Sequence, residues 1–405
     1  MSEEKEVREA DDMNAREIFR RVLDFEEFER SLKWEFCYWG GTVSRWENEG
    51  LPSGLEVEGP ARELKYGEVY VGPALIYPLP SYDDSLLFSS GLSRHFDLDK
   101  GLRSFPFNWF YCPRFEVTVL EETDEKIELV DGLGVRQQTF KDGRSMPHWL
   151  EFPVKSRKDW EEVKRERLSM DNFDQRYTVG DTQGAVEELK KRDFPMALYG
   201  SPIGFFGVLR QLIGEPNIYY WFYDHPDILR DIAEHLCTLW LAAAEELTAL
   251  IDFDCCYFWE DMAYRGGSLV GPDVFREFMA PYYRRLIGFA ESRGTRHHYV
   301  DTDGYVEDLL PLFVDVGMTG LQPFEVQAGN DVERVRAKYP KLEIFGGVDK
   351  MALQSREGID AELEKVNRMM KTGGFIPYID HCVPPDVSYE NFSYYRRRLN
   401  EIIGG

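Results

Sequence analysis

The chain has 405 residues, of which 43% are hydrophobic and 30% charged, so it can bury the core of a full enzyme. This composition excludes disorder over the whole length, collagen-like repeats and a long coiled coil. Acidic residues outnumber basic ones by 73 to 48, and the formal charge of -25 argues against nucleic acid as a partner.

The sequence also indicates where the chain works. No apolar run approaches the roughly 20 residues that span a bilayer, and Met1 to Asp12 is acidic rather than basic and then apolar. The six cysteines are scattered, and the adjacent pair Cys255 and Cys256 has poor disulfide geometry. We therefore expect no membrane association and a reducing, cytoplasmic location.

The first part of the chain combines short predicted elements with long loops. An amphipathic pattern predicts a helix over about Ala15 to Arg30, with Asn14 as its N-cap. The apolar run Trp34 to Trp39 predicts a buried strand, and the stretch Gly40 to Pro52 that follows it predicts a loop. From Phe115 to Phe140 apolar and polar residues alternate between Asp-Gly turns, which predicts an inserted antiparallel β-hairpin.

After about Phe194 short apolar runs alternate with helical patterns, which is typical of repeated β-α units. Two of the predicted helices are long, Ile228 to Ile251 and Asp273 to Arg293. We predict a single (β/α)8 TIM barrel over residues 1–405, with an N-terminal extension and a β insertion at about 115–140. The six apolar runs are Met196 to Tyr199, Cys255 to Trp259, His297 to Val300, Gly320 to Pro323, Ile344 to Gly347 and Ile376 to Ile379.

Polar residues follow the ends of five of these runs. In a parallel barrel the carboxyl ends of the strands share one rim, where barrel enzymes place their chemistry. An acidic residue at this position is also a common N-cap of the next helix, as we expect for Asp308 and Asp331. Because one cap per helix suffices, capping does not explain the whole set, and we expect a functional rim. The set comprises Glu260, Asp261, Asp301, Asp303, Glu325, Asp349, Lys350, Asp380 and His381.

Two of these carboxylates are candidates for metal binding. Asp301 and Asp303 project to the same side, because side chains of a strand alternate with a period of two residues. With His381 from another strand end they provide two carboxylates and one imidazole, which suits zinc, iron or manganese.

The strand ends and loops also contain a set of short motifs. They are Arg45-Trp46-x-x-Glu49-Gly50-Leu51-Pro52, Gly200-Ser201-Pro202-Ile203-Gly204-Phe205, Glu260-Asp261, Gly271-Pro272-x-x-Phe275, Asp301-x-Asp303-Gly304, Pro323-Phe324-Glu325, Gly346-Gly347-x-Asp349-Lys350 and Asp380-His381-x-Val383-Pro384-Pro385-x-x-x-x-Glu390-Asn391. Together they resemble the uroporphyrinogen decarboxylase superfamily, a (β/α)8 family that also contains corrinoid-dependent methyltransferases.

Two departures from the family pattern bear on the reaction. The decarboxylases carry an Arg-Gln-Ala-Gly-Arg run whose arginines hold the carboxylates of the tetrapyrrole, and Gly40 to Arg45 stands in its place here. The methyltransferases carry zinc ligands in a His-x-Cys-Gly run and a later Cys. Asp301-x-Asp303-Gly304 and His381 occupy those places, so the resemblance implies a divalent metal, zinc in first place, on Asp301, Asp303 and His381.

The inserted hairpin and the Arg45 to Pro52 segment resemble the methyltransferase-like branch. That resemblance implies an enzyme that moves a methyl group from a small O- or N-methyl compound to a corrinoid protein, which carries cobalamin. The expected catalytic residues are Glu260, Asp261 and Glu325, and the expected substrate-binding residues are Arg45, Tyr199, Asp349 and Lys350. Two alternatives stay open: a decarboxylase-like lyase of porphyrin metabolism, and a non-catalytic barrel that binds a ligand.

Overall fold

The structure, a computed structural model, describes residues 13–27, 30–56, 69–74, 86–141, 147–171, 173–200 and 202–404. The strands are β1 Cys37–Trp39, β2 Val69–Val71, β3 Leu86–Phe88, β4 Arg103–Ser104, β5 Thr118–Glu122, β6 Lys126–Val130, β7 Arg136–Phe140, β8 His148–Glu151, β9 Met196–Tyr199, β10 Cys255–Trp259, β11 Ala263–Tyr264, β12 Gly267–Ser268, β13 His297–Asp301, β14 Gly320–Phe324, β15 Glu343–Gly346 and β16 Phe375–Ile376. The helices are α1 Ala15–Leu23, α2 Gly40–Asn48, α3 Ser90–His95, α4 Arg157–Arg167, α5 Thr182–Leu189, α6 Gly207–Leu212, α7 Glu215–Asp224, α8 Pro226–Leu250, α9 Pro272–Phe278, α10 Ala280–Ser292, α11 Leu310–Asp315, α12 Val332–Lys338, α13 Arg356–Met370 and α14 Tyr389–Ile403, with 3-10 helices at Phe173–Arg176, Val326–Ala328 and Lys350–Gln354.

A parallel sheet of seven strands forms the centre of the structure, in the order β16-β15-β14-β13-β10-β9-β4. Its strands are buried almost throughout, as expected when both faces of a parallel sheet are covered. Trp259 pairs with Asp301, so β10 and β13 end at the same level, and Asp301 pairs with Gln322, two residues before the end of β14. The result is an α/β fold with a curled sheet that fits a TIM-like barrel; closure by eight strands stays a prediction.

Alternating side chains of these strands supply two hydrophobic clusters. One face carries Tyr257, Tyr299 and Phe345, which pack with α1 and with Tyr378. The other face packs against the long helices, including α8 and α10. Helix α1 begins as predicted at Asn14, whose side chain accepts a hydrogen bond from the backbone N–H of Glu17 in a capping box. It ends at Leu23, earlier than predicted.

Two predictions of local structure are wrong. Residues Gly40–Asn48 form helix α2 rather than a loop, because Val43 and Trp46 lie three residues apart and both become buried. The single helix predicted over Asp273 to Arg293 is two helices, α9 and α10. Pro281 lies in the first turn of α10, where its missing N–H is tolerated but would interrupt a continuous helix.

The inserted region forms a larger antiparallel sheet than the predicted hairpin. Its strands follow the order β5-β6-β7-β8, so β8 extends the region beyond Phe140 to Glu151. Every residue of β5 is exposed, and β6 and β7 are half-buried. The insertion therefore lies at the surface.

A disulfide joins the first described strand to the segment after β16. Cys37 of β1 is bonded to Cys382, 345 residues away in the sequence. The spacing of the cysteines did not predict this bond, because only folding brings the two segments together. The cytoplasmic location, which we inferred in part from the cysteines, stays a prediction. Among the described residues, no helix is long and apolar enough to cross a membrane.

Candidate active site

The carboxyl ends of the parallel strands bring a group of charged side chains together. Asp303 and His381, which follow β13 and β16, lie with Oδ2 and Nε2 3.4 Å apart. Other charged groups surround this pair, and we name the whole group the mouth cluster. It consists of Arg210, Asp261, Asp301, Asp303, Glu325, Lys350, Asp380 and His381.

The Asp303 and His381 side chains form an ion pair. Burial by itself would lower the pKa of His381, but the charge and hydrogen bond of Asp303 outweigh it and raise that pKa to about 9. Burial would raise the pKa of Asp303, but His381 and Lys350 hold it below its ordinary value. The imidazole is therefore protonated at neutral pH. The exposed fraction is 28% for the His381 side chain and 39% for the Asp303 side chain, so solvent reaches the pair.

Asp301, by contrast, is almost fully buried. It is the last residue of β13, and its carboxyl group accepts a hydrogen bond from the hydroxyl of Tyr257 on the neighbouring strand β10. Burial raises the pKa of Asp301 well above its ordinary value, and the charges of Asp303 and Asp261 raise it further. These effects favour the protonated, neutral form of Asp301, which holds a proton that it can donate.

Asp261 provides a second group that can exchange a proton. Burial and the charge of Asp303 raise the pKa of Asp261 to about 6, against the opposing effect of Arg210. Arg210, on α6, donates from Nη1 to Asp261 Oδ2 at 2.8 Å. A φ of 47° places Asp261 in the left-handed region, which aspartate tolerates better than most residues.

Glu260 hydrogen-bonds to backbone groups rather than to side chains of the mouth cluster. Its fully buried carboxyl group accepts hydrogen bonds from the backbone N–H groups of Phe205 (2.7 Å), Phe206 (2.7 Å) and Gly207 (2.8 Å). Burial raises the pKa of Glu260 to about 8, although the three N–H groups act in the opposite direction. Because α6 begins at Gly207, Glu260 fixes the start of the helix that carries Arg210.

The glycine before this loop makes that contact possible. A Cβ atom on Gly204 would lie 1.9 Å from the carbonyl oxygen of Trp259 and 2.9 Å from the carboxyl carbon of Glu260. Only glycine allows the loop to approach β10 this closely. Gly204 thus has a packing role at the start of the helix that carries Arg210.

A further ion pair of the mouth cluster joins residues that follow β14 and β15. Lys350 Nζ is 3.0 Å from Glu325 Oε1 and 3.7 Å from Asp380 Oδ1. Glu325 Oε2 also accepts from the backbone N–H of Gly304 at 2.9 Å. Burial raises the pKa of Asp380 to about 6, while Lys350 and two backbone N–H groups act to lower it. These contacts hold the strand ends in place around the exposed pair.

Three predicted substrate-binding residues form no ion pair with the described members of the mouth cluster. Asp349 accepts from Gln327 Nε2 at 2.6 Å and from the backbone N–H of Met351 at 2.7 Å, so it caps the 3-10 helix that follows it. Arg45 donates to Glu49 at 2.6 Å and to the carbonyl oxygen of Pro385 at 2.7 Å, which ties α2 to the loop after His381.

Tyr199 points away from the mouth. Its φ of 72° departs from strand geometry, and its ring packs on Trp109 with the centroids 5.5 Å apart. The hydroxyl donates to the carbonyl oxygen of Leu286 in α10 at 3.3 Å, so the side chain lies among the helices. A substrate-binding role for Tyr199, Arg45 and Asp349 stays a prediction.

Comparison with known proteins decides the family. Residues 130–401 match the profile of uroporphyrinogen decarboxylase (URO-D). The chain belongs to the uroporphyrinogen decarboxylase family. The matched part includes β9 to β16 and the whole mouth cluster, and members of this family are enzymes. Membership confirms the superfamily expected from the motifs, and it does not separate methyl transfer from decarboxylation.

Other comparisons add little to the family assignment. No curated protein matches the chain. Among solved structures, the intracellular xylanase TsXylA of Thermoanaerobacterium saccharolyticum, in complex with xylotriose, is 13% identical, with 55% of this chain and 75% of that chain covered. The TM-score is 0.27, so this similarity carries no argument about the site.

The sequence did not point to two members of the site. Arg210 lies in a helix with no strand-end signal, and its contact with Asp261 depends on how α6 packs. Tyr257 lies two residues before Trp259, so it shares a face with the strand end, but the pairing with Asp301 depends on the register between β10 and β13.

The metal ligands expected from the methyltransferase branch of the family do not form a ready coordination site. Within the part of the chain that the structure describes, no three His, Cys, Asp or Glu side chains are placed to hold a metal ion. His381 is paired with Asp303, so binding of a metal by its Nε2 would require that pair to open. The carboxyl group of Asp301 binds the Tyr257 hydroxyl. A divalent metal on Asp301, Asp303 and His381 stays a prediction.

Proposed function

We propose that this chain is a methyltransferase-like enzyme of the uroporphyrinogen decarboxylase family. It moves a methyl group from a small O- or N-methyl compound to a corrinoid protein. The observation that carries the proposal is the pairing of each cation in the mouth cluster with a carboxylate. The pairs are Arg210 with Asp261, Lys350 with Glu325, and His381 with Asp303.

This pairing bears on the charge of the substrate. A porphyrinogen with several carboxylates needs several available cations, because each unpaired carboxylate removed from water costs several kcal/mol. The cations of the mouth cluster are already neutralised, so a carboxylate-rich substrate would have to displace Asp261, Glu325 or Asp303. A neutral or cationic methyl donor requires no such exchange.

The protonation states in the cluster suit the chemistry of demethylation. When the bond between the methyl carbon and oxygen breaks, its electron pair stays on oxygen, which then needs a proton. The raised pKa of Asp301 favours its protonated form, and Asp261, with a pKa of about 6, exchanges a proton readily. Either could protonate the leaving oxygen and then recover its proton from solvent. The corrinoid group of the partner protein would accept the methyl group.

The Asp303 and His381 pair has a different role in this proposal. As an ion pair it ties the two strand ends together. The carboxylate of Asp303 adds to the effect of burial in raising the pKa of Asp301, while His381 acts to lower it. Zinc on Asp301, Asp303 and His381 stays a prediction, and no step of the proposal requires it.

A direct assay tests the proposal. The purified chain is incubated with a reduced corrinoid protein and a panel of methoxyarenes and methylamines, and the demethylated products are measured by mass spectrometry. We expect one donor class to lose its methyl group, with a matching change in the cobalt absorption spectrum. Uroporphyrinogen, incubated in parallel, should release no carbon dioxide.

The two reactions, together with a calorimetric binding measurement, distinguish the alternatives. Carbon dioxide from uroporphyrinogen, with no demethylation, would replace methyl transfer with the decarboxylase-like lyase. Binding of a methylated compound in calorimetry without turnover in either assay would indicate the non-catalytic barrel.

A further inference from the structure

The Cys37–Cys382 disulfide lies directly beside the mouth cluster. Cys382 is the residue after His381, and both sulfur-bearing side chains are buried, with 1% of Cys37 and 5% of Cys382 exposed. The other described cysteines, Cys112, Cys237, Cys255 and Cys256, are free and buried. Among the described cysteines, the disulfide therefore lies next to His381 of the mouth cluster.

The neighbours of the two cysteines also contact the mouth. The ring of Phe36, which precedes Cys37, lies 5.5 Å from the His381 ring and stacks on Tyr378 at 6.1 Å. A change in the position of β1 would thus act on His381 from two sides, through Phe36 and through Cys382.

Hydrogen bonds hold the same segment independently of the disulfide. Val383 N donates to the carbonyl oxygen of Cys37 at 2.9 Å, and Trp39 N donates to that of Val383 at 3.4 Å. The Thr42 hydroxyl donates to the Val383 carbonyl oxygen at 2.7 Å. These bonds need no sulfur chemistry, so the reduced chain keeps the segment in place but holds it less firmly.

We propose that the Cys37–Cys382 bond is a redox-responsive clamp on the mouth, opened by a dithiol reductant. A thiolate of the dithiol attacks Cys382, the more exposed of the two, and the S–S bond breaks with its electron pair on Cys37, which takes a proton. The second thiol of the reductant then displaces Cys382 as a thiol, and the reductant leaves as its own disulfide. Two electrons and two protons pass to the protein. The loosened segment 381–383 no longer holds His381 steadily against Asp303.

The first test establishes the bond and its reduction. Protein purified without reductant is unfolded and alkylated, and its peptides are analysed by mass spectrometry. We expect four alkylated cysteines and one linked peptide pair containing Cys37 and Cys382, and six alkylated cysteines after dithiothreitol. Unlinked Cys37 and Cys382 in protein exposed to air would overturn the proposal.

The second test measures the clamp without any catalytic assay. Backbone hydrogen exchange at residues 381–383 should increase by about tenfold in the dithiothreitol-treated chain, while exchange in β13 stays unchanged. The double variant Cys37→Ser, Cys382→Ser should exchange fast with or without reductant, and Cys112→Ser should respond as the native chain does. Equal exchange in the oxidised and reduced native chain would show that the bond does not clamp the mouth.

The activity arm rests on the proposed function and is read separately. If methyl transfer occurs, its rate should fall after reduction and recover after reoxidation. A rate that is insensitive to reduction, despite faster exchange at 381–383, would refute the regulation and leave methyl transfer intact. Absence of any methyl transfer would refute the proposed function and leave the exchange result standing.

Discussion

His381 and Asp303 form an ion pair across two strand ends that are far apart in the sequence, with Nε2 3.4 Å from Oδ2. The pair is partly exposed and belongs to a cluster whose carboxyl groups differ in the direction of their pKa shifts. Burial raises the pKa of Asp301 beside it and favours the neutral form, whereas His381 and Lys350 hold the pKa of Asp303 below its ordinary value and favour the charged form. The surroundings of each carboxyl group in the cluster thus decide whether its protonated form or its anion is favoured.

The ion pair predicts a pH dependence. The pKa of His381 is raised to about 9, so its contribution to stability is fully present below the ordinary histidine pKa of about 6.5 and is lost as pH rises through about 9. We expect the ring resonances of His381 to titrate near pH 9 in NMR spectra, and Asp303→Asn to move the midpoint down. A midpoint near 6.5 in the native chain would mean that the pair does not form in solution.

The Asp301→Asn variant tests the role of the acidic proton separately from the size of the side chain. Asp301→Asn keeps the size and neutrality of the protonated acid, so we expect a change in unfolding free energy of within about 1 kcal/mol. It removes the acidic proton, and we expect methyl transfer to slow by about 100-fold or more. Urea unfolding and the product assay measure the two effects.

Asp308→Asn serves as the matched control for Asp301→Asn. Asp308 is exposed and, contrary to expectation, is not the N-cap residue of α11, which is Leu309, so we expect no effect on either measurement. A large loss of stability in Asp301→Asn would instead indicate that Asp301 is charged in the native chain.

Glu260 is predicted to act through structure. Glu260→Ala leaves the buried N–H groups of Phe205, Phe206 and Gly207 without their carboxyl acceptor, at about 1–3 kcal/mol for each unsatisfied group. We expect a loss of about 3 kcal/mol or more in urea unfolding. Glu333→Ala, which breaks an exposed ion pair with Arg368, should cost only about 0–1 kcal/mol. Similar losses in the two variants would contradict the assigned role of Glu260.

Two glycines offer a matched pair of substitutions. Gly204→Ala places a methyl group 1.9 Å from the Trp259 carbonyl oxygen, and we expect a loss of at least about 2 kcal/mol as the loop moves from β10. Gly288→Ala, in α10, meets nothing within 4 Å and should stabilise the chain by about 0.5–1 kcal/mol. Thermal unfolding of both variants measures the difference. An unchanged transition in Gly204→Ala would show that the close approach is absent.

The sequence predicted those parts of the fold that depend on neighbouring residues. Strands β9 and β10 have the bounds that their apolar runs predicted, Met196–Tyr199 and Cys255–Trp259. A short strand that is buried on both faces consists of consecutive apolar residues, so its bounds can be read from the sequence. The Asn14 cap was predicted for the same reason. The positions of Asp303 and His381 after their strands also followed from the chain itself.

Tertiary structure decided which of these side chains meet. The partner of Asp301 is Tyr257 because β10 and β13 pair in one register, and the contact between Arg210 and Asp261 depends on the packing of α6. The 345 residues between Cys37 and Cys382 carry no local sign of their bond. Side-chain orientation, burial and protonation depend on distances between elements, and those distances are set only when the strands and helices pack around one core.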